Sequence, residues 1–253
     1  MHFTRVITRL PALSCARGET TATEGLPDST RTRQQFFRYI EVMLEQGLRV
    51  TLLPAEPDYP DAHFVEDPAV VIPELAIMTH PGAISRQGEE ELLAAELAKY
   101  RPLYRMSRDG HPEGGDVMLV GKRFFIGLTQ RTNQVAIDEF TSVVAPLGYQ
   151  VTAVKTVSGL HLKSVVNYIG NNTLLLTAEY AELPVFAGFQ RIVIPDEEAY
   201  AGNTLLINGT LITPAGYPVT LKKLTALGLP VVTLDTSEFK KMDGSLSCLS
   251  LRF

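Results

Sequence analysis

Residues 113–126 read Glu113-Gly114-Gly115-Asp116-Val117-Met118-Leu119-Val120-Gly121-Lys122-Arg123-Phe124-Phe125-Ile126. Two apolar runs of strand length flank a short Gly-Lys turn, which predicts an antiparallel hairpin. A polar residue stands just ahead of the first run. The same order occurs at Glu66, ahead of Val70-Val71-Ile72 and Ala76-Ile77-Met78, and the pattern repeats at His161, Asn203 and Cys248. These five positions are separated by 47, 48, 42 and 45 residues, intervals too even for chance loops. Five similar units are predicted.

Working outward, each hairpin has its own turn chemistry: Pro73-Glu74, Gly121-Lys122, Gly170-Asn171-Asn172 and the Asn208-Gly209 pair. Helices are predicted between hairpins. Phe36, Phe37, Ile40, Met43 and Leu44 share one face of the first, and Leu92, Leu93 and Leu97 one face of the second. Val135, Phe140, Val143 and Val144 mark a third, and Leu221, Leu224 and Leu227 a last one. Three of these helices run into Gly47-Leu48, Gly148-Tyr149 and Gly228-Leu229, where glycine can adopt the left-handed cap. A third strand follows each stop, at 50–53, 151–154 and 231–234, and 103–106 and 192–194 fill the two remaining slots.

A unit of strand, strand, helix and strand cannot bury its apolar face alone, so neighbours must pack around an axis. The expected fold is α/β, a five-bladed pseudo-symmetric α/β propeller formed by one domain, 1–253. Pairing of the N-terminal strand, Phe3 to Arg9, with the final strand, Ser247 to Phe253, would complete the fifth unit and cover both edges. An open mixed sheet with helices is the alternative, and it leaves the period unexplained.

Composition excludes several classes. With 253 residues and 45% hydrophobic side chains the chain can bury a substantial core. Its net charge of −5 and pI near 5.6 come from interspersed charges of both signs, with no basic face for nucleic acid. No apolar run approaches the length of a membrane span. Met1 to Leu13 lacks a continuous apolar stretch of the secretory kind, so cytoplasmic residence is expected. The two cysteines, Cys15 and Cys248, are expected to be free thiols there.

In a radial array the positions that open each unit converge. Here they are Glu66 with Asp67, Glu113 with Asp116, His161, Asn203 and Cys248. Each by itself is ordinary: a buried structural histidine, a small apolar cysteine, carboxylates that form turns. Together they put a thiol, an imidazole and several carboxylates in one pocket. A thiolate suits a soft, delocalised carbon electrophile, and paired carboxylates match a planar cation through bidentate hydrogen bonds. An ester or peptide would need oxyanion donors, which an acidic pocket opposes. Guanidinium or amidine chemistry fits these residues best.

The segments Phe64-Val65-Glu66-Asp67, Glu113-Gly114-Gly115-Asp116-Val117, Arg131-Thr132-Asn133, Gly159-Leu160-His161-Leu162-Lys163-Ser164 and Asp243-Gly244-Ser245-Leu246-Ser247-Cys248 resemble, in order along the chain, those of the dimethylarginine dimethylaminohydrolases of the pentein superfamily. The resemblance implies that Cys248 attacks the guanidinium carbon, His161 protonates the departing amine and then activates water, and Glu113 orients the imidazole. It implies that Glu66 and Asp67 hold the guanidinium nitrogens, with Asp67 the stronger contact. Arg86 and Arg131 would bind the α-carboxylate and Asp61 the α-amino group. The products would be citrulline and dimethylamine or methylamine, released through a covalent thiouronium intermediate. No metal or organic cofactor is required, the partner is the small-molecule substrate, and a homodimer is implied.

One segment departs from that pattern. Cys15 to Gly25 falls where the resemblance places a mobile lid, yet it carries Arg17 and Glu19 near positions expected to be apolar. Preference among dimethylated, monomethylated and other substituted arginines is therefore open. The alternatives are a related pentein hydrolase acting on arginine or another Nω-substituted arginine, and a non-catalytic methylarginine-binding protein. An arginine deiminase would be longer, with an extra helical insertion. A pure binder has no use for Cys248, His161 and Glu113 together.

Overall fold

The computed structural model describes residues 2–253. It contains five three-stranded sheets. In the sheet that holds the quoted hairpin, Arg123–Leu128 is the middle strand, antiparallel to Val117–Val120 and parallel to Gln150–Lys155. The same arrangement recurs around Ala76–Met78, Thr173–Thr177 and Thr210–Pro214. The fifth sheet joins the chain ends: Arg5–Arg9 runs antiparallel to Leu251–Arg252, with Ile7 opposite Leu251, and parallel to Arg49–Leu53. The parallel partner arrives after a helix because a parallel return needs a crossover.

Turn and cap residues do what their chemistry predicts. Asn208 and Gly209 have φ of +48° and +92°, the left-handed pair of a tight hairpin. Gly47 and Gly148 both take φ +81° behind their helices, and Leu48 N–H then reaches back to Met43 O at 3.2 Å, closing the helix end.

Helix Ser29–Glu45 buries Phe36, Tyr39, Val42 and Met43, whereas Phe37 and Leu44, expected on that face, are exposed. Val135 and Leu227 are exposed as well. The helices rotate so that Tyr39 and Phe140, whose larger side chains fill the core, point inward. In the unit opened by His161 the helix is only Ala178–Ala181, followed by a turn at Pro184–Phe186. Pro184 has no N–H to continue the helical ladder.

A second difference concerns the last segment. Ser247 to Phe253 is not one strand: Ser247–Leu249 forms a 3₁₀ turn and only Leu251–Arg252 is extended. Contacts to Ser247, described below, draw this part of the chain out of the ladder. The first strand of each repeat unit, which in the fifth sheet is Leu251–Arg252, lines a single cavity, and the polar residues of the sequence period stand just ahead of those strands. No helix among the described residues is long and apolar enough to cross a membrane.

Candidate active site

The Glu-Gly-Gly-Asp segment brings the loops together. Gly114–Asp116 is a 3₁₀ turn, and Gly114 N–H donates to Asp67 O at 2.9 Å. A Cβ on Gly114 would collide with Glu66 O, and one on Gly115 would lie 2.8 Å from both Asp67 Oδ1 and His161 Nδ1. The two glycines are therefore sites of close approach between three loops. Asp116 fixes the loop of His161: its carboxylate accepts from Leu162 N–H at 2.8 Å and from the Thr129 and Thr132 hydroxyls at 2.7 Å each.

His161 Nε2 lies 2.6 Å from Glu113 Oε2, with both side chains buried. Burial disfavours the imidazolium, but Asp67, the Glu113 hydrogen bond and Asp116 outweigh it and raise its pKa to about 9. At neutral pH His161 carries a proton. Arg131 Nη1 approaches the other Glu113 oxygen at 3.5 Å from a half-buried position.

Asp67 and Arg86 form a buried pair, with Arg86 Nη1 at 2.7 Å from Asp67 Oδ2. Burial pushes the Asp67 carboxyl up, and His161 and Arg86 more than reverse this, holding it below the usual carboxylate range. Arg86 also donates from Nε and Nη2 to Glu89 and from Nη2 to Phe64 O. Glu89 is raised to about 7 by burial, against the pull of Arg86.

Cys248 sits half-buried on the Ser247–Leu249 turn, and its neighbour Ser247 is held at every polar atom. Ser247 N–H donates to Asn203 Oδ1 at 2.9 Å and its hydroxyl donates to Glu66 Oε2 at 2.6 Å, while Arg252 Nη1 donates to Ser247 O at 2.9 Å. Glu66 N–H also donates to Cys248 O at 3.2 Å. The thiol is pushed up to about 12 by burial and by the nearby Glu66 and Asp67 charges, so it rests protonated.

Glu66, expected beside Asp67 at a guanidinium, is engaged by groups of the fold. Its Oε1 accepts from Lys163 Nζ at 2.6 Å and Arg252 Nη2 at 2.7 Å, and its Oε2 from Ser247. Three donors of the fold, two of them cations, thus already share this carboxylate.

Asp61 lies under the segment that departs from the family pattern. Its Oδ2 accepts Glu19 N–H at 2.9 Å, while buried Oδ1 has no partner among the described residues. A Cβ on Gly18 would collide with the Asp61 carboxylate, which makes glycine the residue that can lie there. Ser85 donates its hydroxyl to Glu19 Oε1 at 2.6 Å, and Thr21 donates to Asp243. Glu19 thus ties this segment to Asp61 and Ser85. Cys15 packs with Phe36 and Tyr39 in the core, as a free thiol.

Sequence reading did not find Glu89, Lys163 or Arg252. Glu89 had a signal in its position three residues after Arg86, where one helical turn can pair them. Lys163 and Arg252 had none, since only folding brings them to Glu66. Asp67, Glu113 and His161 offer ligand atoms within 4.8 Å of one another. Arg86 Nη1 stands 2.7 Å from Asp67 Oδ2 and 4.0 Å from Glu113 Oε2, so this cluster already contains one fixed cation.

Residues 21–183 match the family model described as N,N dimethylarginine dimethylhydrolase, eukaryotic. The chain is 39% identical to the N(G),N(G)-dimethylarginine dimethylaminohydrolase of Pseudomonas aeruginosa over 99% of this chain and 100% of that one. It is 31% identical to the enzyme of the same name from Streptomyces coelicolor, over 98% and 96% of the two chains. A crystal structure of the Pseudomonas protein, a cysteine-to-serine mutant complexed with citrulline, superposes with a TM-score of 0.98 at 38% identity and full coverage of both chains.

Proposed function

This chain belongs to the dimethylarginine dimethylaminohydrolase family, and on that premise we propose that it hydrolyses Nω-methylated arginines to citrulline and dimethylamine or methylamine, with Cys248, His161 and Glu113 as its catalytic residues. The observation that carries the reading is the protonated His161–Glu113 pair in the same buried cluster as Asp67, at the opening positions of the repeat that also includes Cys248.

The two resting protonation states suit a cationic substrate. Cys248 is a thiol because burial, and then the charges of Glu66 and Asp67, oppose a further negative charge. A guanidinium held against Asp67 offsets the carboxylate charges, so the thiol releases its proton to solvent and the thiolate forms where its electrophile is already bound; the neutral amine that leaves later takes up a proton from solvent. Sulfur then attacks the guanidinium carbon to give a tetrahedral adduct. The methylated amine leaves with the proton of His161, and a thiouronium bound to Cys248 remains. Neutral His161 next removes a proton from water, hydroxide adds to the same carbon, and the C–S bond breaks to release citrulline and regenerate the thiol. Water is the only co-reactant.

The remaining positions follow the substrate's charges. Asp67 takes the guanidinium nitrogens, and Glu66 holds the Ser247–Cys248 turn. Arg131, whose guanidinium makes one long contact, takes the α-carboxylate. Arg86, paired in the unliganded fold with Asp67 and Glu89, is the second arginine of this reading for the α-carboxylate. The unpartnered oxygen of Asp61 receives the α-ammonium. The same reading comprises one catalytic domain, 1–253, arranged as a closed five-bladed propeller. Support comes from the single cavity lined by the first strands of all five repeat units and from the paired chain ends. Cytoplasmic residence and a homodimer complete it, on the strength of the family; light scattering measures the latter.

The test is citrulline formation from asymmetric dimethylarginine, monomethylarginine and arginine in parallel, with Cys248→Ser as control. Turnover of the methylated substrates, little of arginine, and a loss of about 10³-fold or more in the folded variant are expected. Preferred turnover of arginine would favour a deiminase reading, and residual hydrolysis in Cys248→Ser would remove Cys248 from the role of nucleophile.

A further inference from the structure

A cavity of about 420 Å³ adjoins the Glu66 cluster. Its walls are the first strands of the five repeat units, and most of its lining side chains are apolar, as at Val70, Leu119 and Leu206, with Asn167, Thr204 and Ser250 among the polar ones. None of Cys248, His161, Glu113 or Asp67 reaches it. The volume falls within the range of small-molecule pockets.

Its charged lining residues are Glu66, Lys163 and Arg252, one negative against two positive. Both cations bind the same oxygen, Glu66 Oε1, at 2.6 Å and 2.7 Å. Lys163 Nζ makes no other hydrogen bond to the described protein groups, so donors remain for a further acceptor. An apolar chamber that ends in a net positive floor selects a particular ligand: a monoanion with an aliphatic body. A neutral alcohol would gain only the walls, and a cation would be repelled by the floor.

The floor is also the support of the nucleophile. Glu66 holds the Ser247 hydroxyl, and Arg252 holds the Ser247 carbonyl. An acceptor drawn to Lys163 and Arg252 competes with Glu66 for them. It thereby leaves more of the Glu66 charge uncompensated beside the Cys248 thiol, which resists ionisation further.

We propose that this cavity is a second ligand site, for a small carboxylate with an aliphatic chain, and that its occupancy reaches Cys248 through Glu66 and Ser247. The site is separate from the one that takes methylarginine, and its test needs no turnover. Calorimetric titration of the full chain with octanoate, octanol and octylammonium reads the binding. Saturable binding of one octanoate is expected, at least about tenfold weaker for octanol and absent for octylammonium. Hexanoate, two methylenes shorter, should bind about tenfold more weakly than octanoate.

Leu206→Trp fills the chamber from one wall and should abolish octanoate binding while citrulline formation persists. Iodoacetamide labelling of Cys248, followed by peptide mass, should slow about threefold or more at saturating octanoate, and remain unchanged by octanoate in Leu206→Trp. Absence of octanoate binding, equal binding of octanol, or binding that survives Leu206→Trp would each overturn the site. Binding at the site with an unaltered labelling rate would overturn the transmission to Cys248.

Discussion

His161 Nε2 and Glu113 Oε2 lie 2.6 Å apart in the folded chain, although 48 residues separate them in sequence. Each opens a unit of the repeat, and the turn Gly114–Asp116 removes the side-chain bulk that would keep their loops apart. The pair is buried, and the surrounding carboxylates keep the imidazole protonated at neutral pH. Most of the chemistry proposed for the site depends on that proton.

In His161→Ala the departing amine loses its acid and water loses its base, but a substrate whose leaving group needs no proton tests the second half by itself. Mass spectrometry of the variant mixed with S-methyl-L-thiocitrulline, which expels methanethiolate, should show a covalent adduct on Cys248 that decays slowly. Release as fast as in the unaltered chain would exclude His161 from the hydrolytic step.

The His161 proton is bound more tightly in the fold, with a pKa of about 9, than in free imidazole at 6.5. The stabilisation it gives is fully present below pH 6.5 and is lost as pH rises through 9. The Tm advantage of the unaltered chain over His161→Gln should therefore shrink between those two values, and kcat should fall above pH 9 as the acid for the leaving amine disappears. A Tm difference that stays flat across this window would contradict the raised pKa.

Arg131→Ala should raise KM roughly 30-fold, the equivalent of about 2 kcal/mol for one lost charge-assisted bond, with kcat little changed. A methylguanidino substrate lacking the carboxylate should be turned over equally by both proteins. If the variant is equally impaired on that substrate, Arg131 does not read the carboxylate.

Gly115→Ala places a methyl 2.8 Å from Asp67 Oδ1 and the His161 ring, with no unfavourable backbone angle involved. One side must shift, at a cost to stability of about 1–3 kcal/mol. The His161–Glu113 geometry should move with it, and kcat should fall more than tenfold. An unchanged kcat with a lowered Tm would show that this contact is a matter of packing alone.

The repeat, its hairpins and the glycine stops were legible because they are local. A two-residue turn needs positive φ at Asn208 and Gly209, and a helix stop needs it at Gly47, whatever the rest of the chain does. The meeting of Glu113 with His161 was legible for another reason: a five-fold period brings equivalent positions together. Which helix residues face inward was less so. Phe37 and Leu44 fit an apolar stripe as well as Tyr39 does, and only the shape of the core selects among them.

What the sequence alone determined is therefore the periodic frame, the turns that build it and the residues that open each unit. Tertiary structure decided how those residues are used. Glu66 is claimed by Lys163, Ser247 and Arg252, and Arg86 by Asp67 and Glu89. A buried charge must find its counter-charge wherever the fold brings one, and Arg252 reaches Glu66 across 186 residues, a distance no local pattern encodes.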